Sequence, residues 1–337
     1  MLPIAIRTVV LSLAALSAVA PWQAASDDLA FLQPWFTVER NDRDTLARRG
    51  VVVRALPSAQ RQLSILATCA VNAAPETLIA AVAAGAVGDG SVSGSFATPP
   101  TLNDLSALTL DQGDIDRLRQ CRPGSCALNL AGDEMAALQR AIDMSGPAVH
   151  DVFRRVLLDR LRRYQSGGLA ALPDYRDRSD PVQPGKVFAQ IVERVPYLQS
   201  SVPRVADYLE RFPSVDAAGA ESSFRWTKLT MNSKPVIMLT HRTIFRLQPR
   251  ASVPDVLVTG KQVYASRYMN GELSLTMLFG RASRSSSYLV VMSRSDLDEL
   301  GGTFGGVKRA LFESRIKGEA AQALTRLRDR LERISVR

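Results

Sequence analysis

Polar and apolar residues alternate with a period of two over much of the last third of the chain, and that alternation predicts strands. From Val236 the odd positions Ile237, Leu239, His241 and Phe245 share one face, while Thr240, Arg242 and Arg246 fall on the other. One apolar face and one mixed face is the pattern of an antiparallel strand with a wet side. Residues 224–231 alternate around Phe224 and Trp226, and Asn232-Ser233-Lys234-Pro235 reads as the turn joining the two. Residues 256–269 and 272–279 read as a hairpin closed by Asn270-Gly271, because both residues tolerate positive φ, with one long bent strand as the alternative. On that reading Tyr264 and Tyr268 share one face and Arg267 lies on the other. Residues 288–294 make a last strand after the polar tip at 281–287.

The period then changes. Phe312, Ile316, Ala320, Leu324, Leu327, Leu331 and Ile334 recur at spacings of three and four, the stripe of an amphipathic helix. Gly318 weakens its middle by about 1 kcal/mol relative to alanine and predicts a kink or close packing. Such a helix is a natural cover for a sheet with one apolar face.

Nearer the start, Leu63, Ile65, Ala67, Cys69 and Val71 alternate in phase, which predicts a strand over 62–72. Pro75 opens a short helix that stops at Gly85. Residues 85–100, rich in Gly, Ser and Pro, read as a loop. Their Gly90-Ser91-Val92-Ser93-Gly94 puts valine where a nucleophile elbow needs serine. Residues 108–213 are helical in texture: Val149, Val152, Phe153, Val156, Leu157, Leu161 and Tyr164 form a stripe opposite arginines. The expected fold is α+β: a curved antiparallel sheet packed on a long C-terminal helix, with an inserted helical region. The expected divisions are 1–25, 26–107 with the first strand and helix, 108–213 as insertion or lid, and 214–337 with the remaining sheet and last helix.

The order strand, Pro-led helix, antiparallel strands and long last helix resembles the helix-grip fold of START-type lipid-binding proteins and their polyketide-cyclase relatives. The stretch Val71-Asn72-Ala73-Ala74-Pro75-Glu76-Thr77-Leu78 is similar to a phrase common at their start. The resemblance covers 62–84 and 223–334, and 108–213 has no counterpart in a minimal domain of that kind. It implies a cavity between sheet and last helix that holds a hydrophobic small molecule or lipid. More loosely, the chain resembles exported bacterial proteins without an assigned function.

Residues 1–25 read as a secretory signal: Arg7, an apolar run over 9–20, then small residues. That run is short of the ~20 residues of a membrane span, and cleavage after Ala20 or near Ala25 are the alternatives. A periplasmic or secreted location follows, with no integral span after cleavage. The net charge of +9 is spread over many segments; with export it argues against nucleic acid and leaves a solvated surface or an anionic envelope surface. Cys121 and Cys126 flank Pro123-Gly124, a turn that brings the thiols together, and an oxidising compartment predicts a disulfide between them. Cys69 reads as a buried core thiol. Two histidines far apart and one unpaired cysteine give no metal set, and no cofactor motif is present.

The candidate pocket residues are His241, Trp226, Tyr264, Tyr268 and Arg267, all on or beside the predicted strands. His241 on an apolar face can bind a polar group of a ligand, act as a base, or serve as a hydrogen-bonded core residue. Three function classes remain: a non-catalytic carrier of a hydrophobic molecule, a docking protein using its helical segment, and a cavity enzyme of cyclase or hydrolase type. The first requires an apolar cavity with one or two polar groups. The second requires a large exposed apolar patch, and the third a polar cluster around His241.

Overall fold

The computed structural model describes residues 28–59, 61–85, 92–144, 146–280, 287–301 and 305–335. The signal reading of 1–25 and most of the tip at 281–287 lie outside the described residues.

Eight strands form one antiparallel sheet: β1 (Val51–Ala55), β2 (Gln62–Val71), β3 (Val92–Phe96), β4 (Glu221–Met231), β5 (Lys234–Arg246), β6 (Val256–Ala265), β7 (Met269–Phe279) and β8 (Ser287–Leu297). Their order is β1-β2-β8-β7-β6-β5-β4-β3, so strands from both ends of the chain interleave. Nine helices accompany them among the described residues: α1 (Arg40–Ala47), α2 (Pro75–Ala83), α3 (Gln112–Leu118), α4 (Gly132–Met144), α5 (Gly146–Gly167), α6 (Pro184–Glu193), α7 (Pro196–Ser201), α8 (Pro203–Arg211) and α9 (Gly305–Ser335). Helices α6, α7 and α8 each begin at proline, which needs no hydrogen bond in the first turn and presets φ there.

Alternation sorts the strands onto two covered faces. Ile237, Leu239 and Phe245 of β5, Leu273, Leu275 and Met277 of β7, and Val290 and Met292 of β8 join the core built with α4–α8. The alternate residues Ile244, Val258, Leu278 and Leu289 pack with α2 and with Leu324 and Leu331 of α9. The expected wet side is therefore a second buried side. Every residue of β2 and of β6 is buried, because helices lie on both faces.

Four local readings change. The loop at 85–100 contains β3, which pairs with β4 as an edge strand; Gly94 faces Trp226, and a Cβ there would lie 2.6 Å from its indole nitrogen. The turn between β6 and β7 is at Ser266–Tyr268, not at Asn270-Gly271, and Tyr268 takes the positive φ of 66°. Ser266 pins this corner by giving its N–H to Ile237 O and accepting from Ile237 N–H, while Arg267 is held by an ion pair to Asp114. Asn270 lies within β7 and donates to Asp296 and Asp298. At Gly318 a side chain would meet nothing within 4 Å, so close packing does not account for that glycine. The turn from β4 to β5 needs only Asn232 and Ser233, both at positive φ, and Pro235 begins within the strand.

Cys121 and Cys126 form a disulfide, and Gly124 between them takes φ 89°. The loop it closes is anchored by Gly124 N–H to Arg176 O and Cys126 N–H to Asp177 O. Reduction is expected to lower stability by about 2 kcal/mol, the chain-entropy value for so short a loop. Urea unfolding with and without reductant measures it; unchanged midpoints would show that the anchoring hydrogen bonds suffice alone. Cys69 is buried and unpaired, and burial pushes its thiol up to about 12.

Candidate functional site

β5 carries His241 into the core beneath α5 and α8. Its Nδ1 lies 2.7 Å from the Tyr164 hydroxyl, and Nε2 meets the hydroxyl of Ser222. Phe224 stacks on the imidazole at 5.1 Å and Phe212 approaches at 4.6 Å. Burial, and then the charge of Lys261, push the imidazole down to about 3, so it is neutral at physiological pH. Tyr164 is fully buried and its hydroxyl has one partner among the described residues, so its proton is assigned to the bond with Nδ1. The imidazole then carries its proton on Nε2 and donates it to Ser222 Oγ. A serine receiving that proton is not activated as a nucleophile. The cluster is a hydrogen-bond chain in which both ring nitrogens of His241 have a hydroxyl partner.

The other sequence candidates do not converge on it. The Trp226 indole donates to Asp104 O at 3.0 Å and is buried against the 103–105 turn. Tyr264 packs on the guanidinium of Arg160, 5.0 Å from its ring centre. Arg267 is buried on Asp114. Tyr268 belongs to the opposite side, with Met231, Phe312 and Ile316. Tyr264 and Arg267 thus share the side of α4–α8 and Tyr268 does not, the reverse of the predicted pairing, because the chain turns at 266–268. None of the five lines either cavity described next.

The first cavity lies between the sheet and α9. It holds about 220 Å³ and is lined by Ile65, Ala67, Thr276, Val291 and Ser293 from β2, β7 and β8, and by Ile316, Ala320, Ala323, Leu324 and Leu327 from α9. Small residues on the helix, Ala320 and Ala323, leave the gap that leucines would fill. Thr276 and Ser293 are its polar points, and Ser293 already donates to Glu272.

The second is a cleft of about 710 Å³ on the other face, bordered by Gly167–Leu172, the first turn of α6 and the end of α8 through Pro213. Lys261 of β6 lies at its base, buried, with its ammonium nitrogen donating to Leu209 O at 2.6 Å. The Phe188, Tyr164 and Phe212 rings surround that nitrogen at 4.8, 5.4 and 6.0 Å. Burial lowers the amine to about 7, against a smaller upward pull from Glu210. The sequence contained a signal for this residue: Lys261 is in phase with Leu257, Thr259 and Val263, a lone charge on an inward face.

No family model and no curated protein matches the chain. Among solved structures, the crystal structure of TTHA0849 from Thermus thermophilus is similar over 45% of this chain and 91% of that one, at 12% identity and a TM-score of 0.26. A likeness so slight bears on neither function nor mechanism.

Proposed function

We propose that this is an exported, non-catalytic protein that binds a small hydrophobic molecule between its sheet and α9. One observation carries the reading: the space of about 220 Å³ there is walled by eight apolar residues and two hydroxyl residues. That composition is typical of sites that hold an apolar ligand and orient it with a few polar groups. An apolar cavity of ~150 Å³ admits benzene, so the space suits a single ring or a short acyl chain rather than a two-chain lipid. The helix-grip resemblance supports the same location. The Cys121–Cys126 disulfide fits an oxidising compartment, and among the described residues no helix is long and apolar enough to cross a membrane.

The docking alternative lacks its mark. Exposed large apolar residues among those described are Val92, Leu102, Met144, Leu311 and Ile334, and only Met144 belongs to the helical segment 108–213. The enzyme alternative has a neutral His241, but Tyr164 and Ser222 occupy both of its ring nitrogens and it lines neither cavity.

Native mass spectrometry of the periplasmic protein, followed by organic extraction, tests the reading. A small apolar molecule is expected to co-purify, and Ala320→Phe, which fills the gap, is expected to weaken its retention at least tenfold. Overpacking costs about 1–3 kcal/mol, so the variant should remain folded. A folded wild type that carries nothing and retains neither monocyclic aromatics nor short acyl chains would sink the proposal.

A further inference from the structure

We infer that the cleft over Lys261 binds an organic carboxylate, with the anionic head against the Lys261 amine and the apolar body along Leu169, Leu172 and Phe212. The site is independent of the gap under α9, from which the sheet separates it.

Two features of different origin ask for the same chemistry. The first is the lysine. It is 3% exposed and, among the described residues, no carboxylate lies within ion-pair distance; Leu209 O serves one of its three donors. Three aromatic rings and one carbonyl surround the nitrogen but no anion neutralises it, and an anion entering the cleft would offset its burial. The second is α6, a ten-residue helix whose first turn, Gln183 to Lys186, borders the same cleft. Gln183 caps no N–H with its side chain, and Pro184 has none to offer. The N–H groups of Gly185 and Lys186 therefore remain free for an acceptor, at the end of the helix where negative charge is favoured.

The walls and rim narrow the class. Phe188 and Phe212 beside Lys261 with Leu169 and Leu172 give an apolar lining, and 710 Å³ is within the ~300–1,000 Å³ of small-molecule sites. Lys186, Arg211 and Lys261 stand against Asp174 and Glu210 in the lining, three positive charges to two negative, an excess that one anionic head balances. One anionic head with an apolar body satisfies both. The charged groups of the cleft besides the amine are Asp174, Glu210, Lys186 and Arg211, the last paired with Asp207, and Tyr164 and His241 lie beside the amine. The amine, lowered by burial to about 7, should be drawn up as the carboxylate binds, with uptake of a proton.

Isothermal titration with 4-phenylbutyrate and its neutral amide, at pH 8 in buffers of different ionisation enthalpy, tests the inference. The acid is expected to bind at least tenfold more tightly than the amide and to take up close to one proton. Lys261→Met should abolish the preference and the uptake, Lys186→Met should weaken binding several-fold, and Ala320→Phe should leave both unchanged. Equal binding of acid and amide overturns the inference, as does uptake of no proton, or no binding of the acid by folded protein at millimolar concentration. Loss in Ala320→Phe would place the ligand under α9 instead and equally defeat it. Proton uptake by the wild type decides the matter even if Lys261→Met does not fold.

Discussion

Lowering the pH from 6.5 to 3 is expected to remove on the order of 4 kcal/mol of stability through His241 alone. The sign follows from which state takes the proton. In the unfolded chain the imidazole protonates near 6.5, whereas in the fold it stays neutral down to about 3. Between those values the unfolded state binds more protons, so stability is complete above the upper value and falls as pH drops toward the lower. Carboxylates titrate over the same range, so the diagnostic is a difference in slope. Urea midpoints of wild type and His241→Leu should converge as pH falls from 7 to 4. At pH 7 the variant should be the weaker by about 1–3 kcal/mol, because Tyr164 loses its acceptor. Parallel slopes for the two proteins would show that the imidazole is protonated in the fold, and the tautomer assigned above would fall with it.

Replacing Glu134 by alanine is expected to cost about 3–5 kcal/mol, the usual penalty for leaving a buried charge without its partner. Arg160 is completely buried on α5, its guanidinium between the Tyr175 and Tyr264 rings at 5.2 and 5.0 Å. Among the described residues its single carboxylate partner is Glu134, at 2.6 Å, and Nε and Nη1 have no acceptor. The same oxygen of Glu134 accepts the Ala131 N–H at the start of α4, so one carboxylate closes that helix and neutralises the arginine. Glu134→Gln keeps an acceptor for Ala131 and should cost less. The double variant Glu134→Leu with Arg160→Met should recover much of the loss, since two apolar side chains carry no desolvation penalty. A loss below about 1 kcal/mol in Glu134→Ala would mean that water reaches the guanidinium.

The elements that a two-residue or 3.6-residue rhythm can mark were legible. β2, β4, β5, α2, α5 and α9 stand within a few residues of where alternation and helical spacing put them. β1 escaped although Val51-Val52-Val53 is a β-branched run, because five residues give alternation too little length to register. β3 escaped because its strand is made where Trp226 requires a glycine, and Gly94 among serines reads as a loop. The turn at 266–268 escaped because Asn270-Gly271 is a strong local signal. It was overruled by a distant contact, the burial of Arg267 on Asp114 from another element. The site readings failed for the same reason. Tyr264, Arg267 and His241 are placed by partners at 160, 114 and 164, and no local pattern states which helix will cover a strand. Lys261 was visible as a misfit charge, yet its importance depends on a cleft formed by α6 and α8.

The strand order has a consequence for how the molecule is made. β2 joins the main body of the sheet by pairing with β8, Gln62 against Asp296 through Val71 against Ser287. Until β8 emerges, β2 has only β1 for company, a hairpin too small to be stable alone. A nascent chain must therefore carry an unsatisfied apolar strand through the synthesis of more than two hundred residues. Long-range pairing of this kind folds slowly and leaves an exposed edge meanwhile. Strands β3 to β7 can pair with one another first, but the sheet cannot take in β1 and β2 until its last strand arrives.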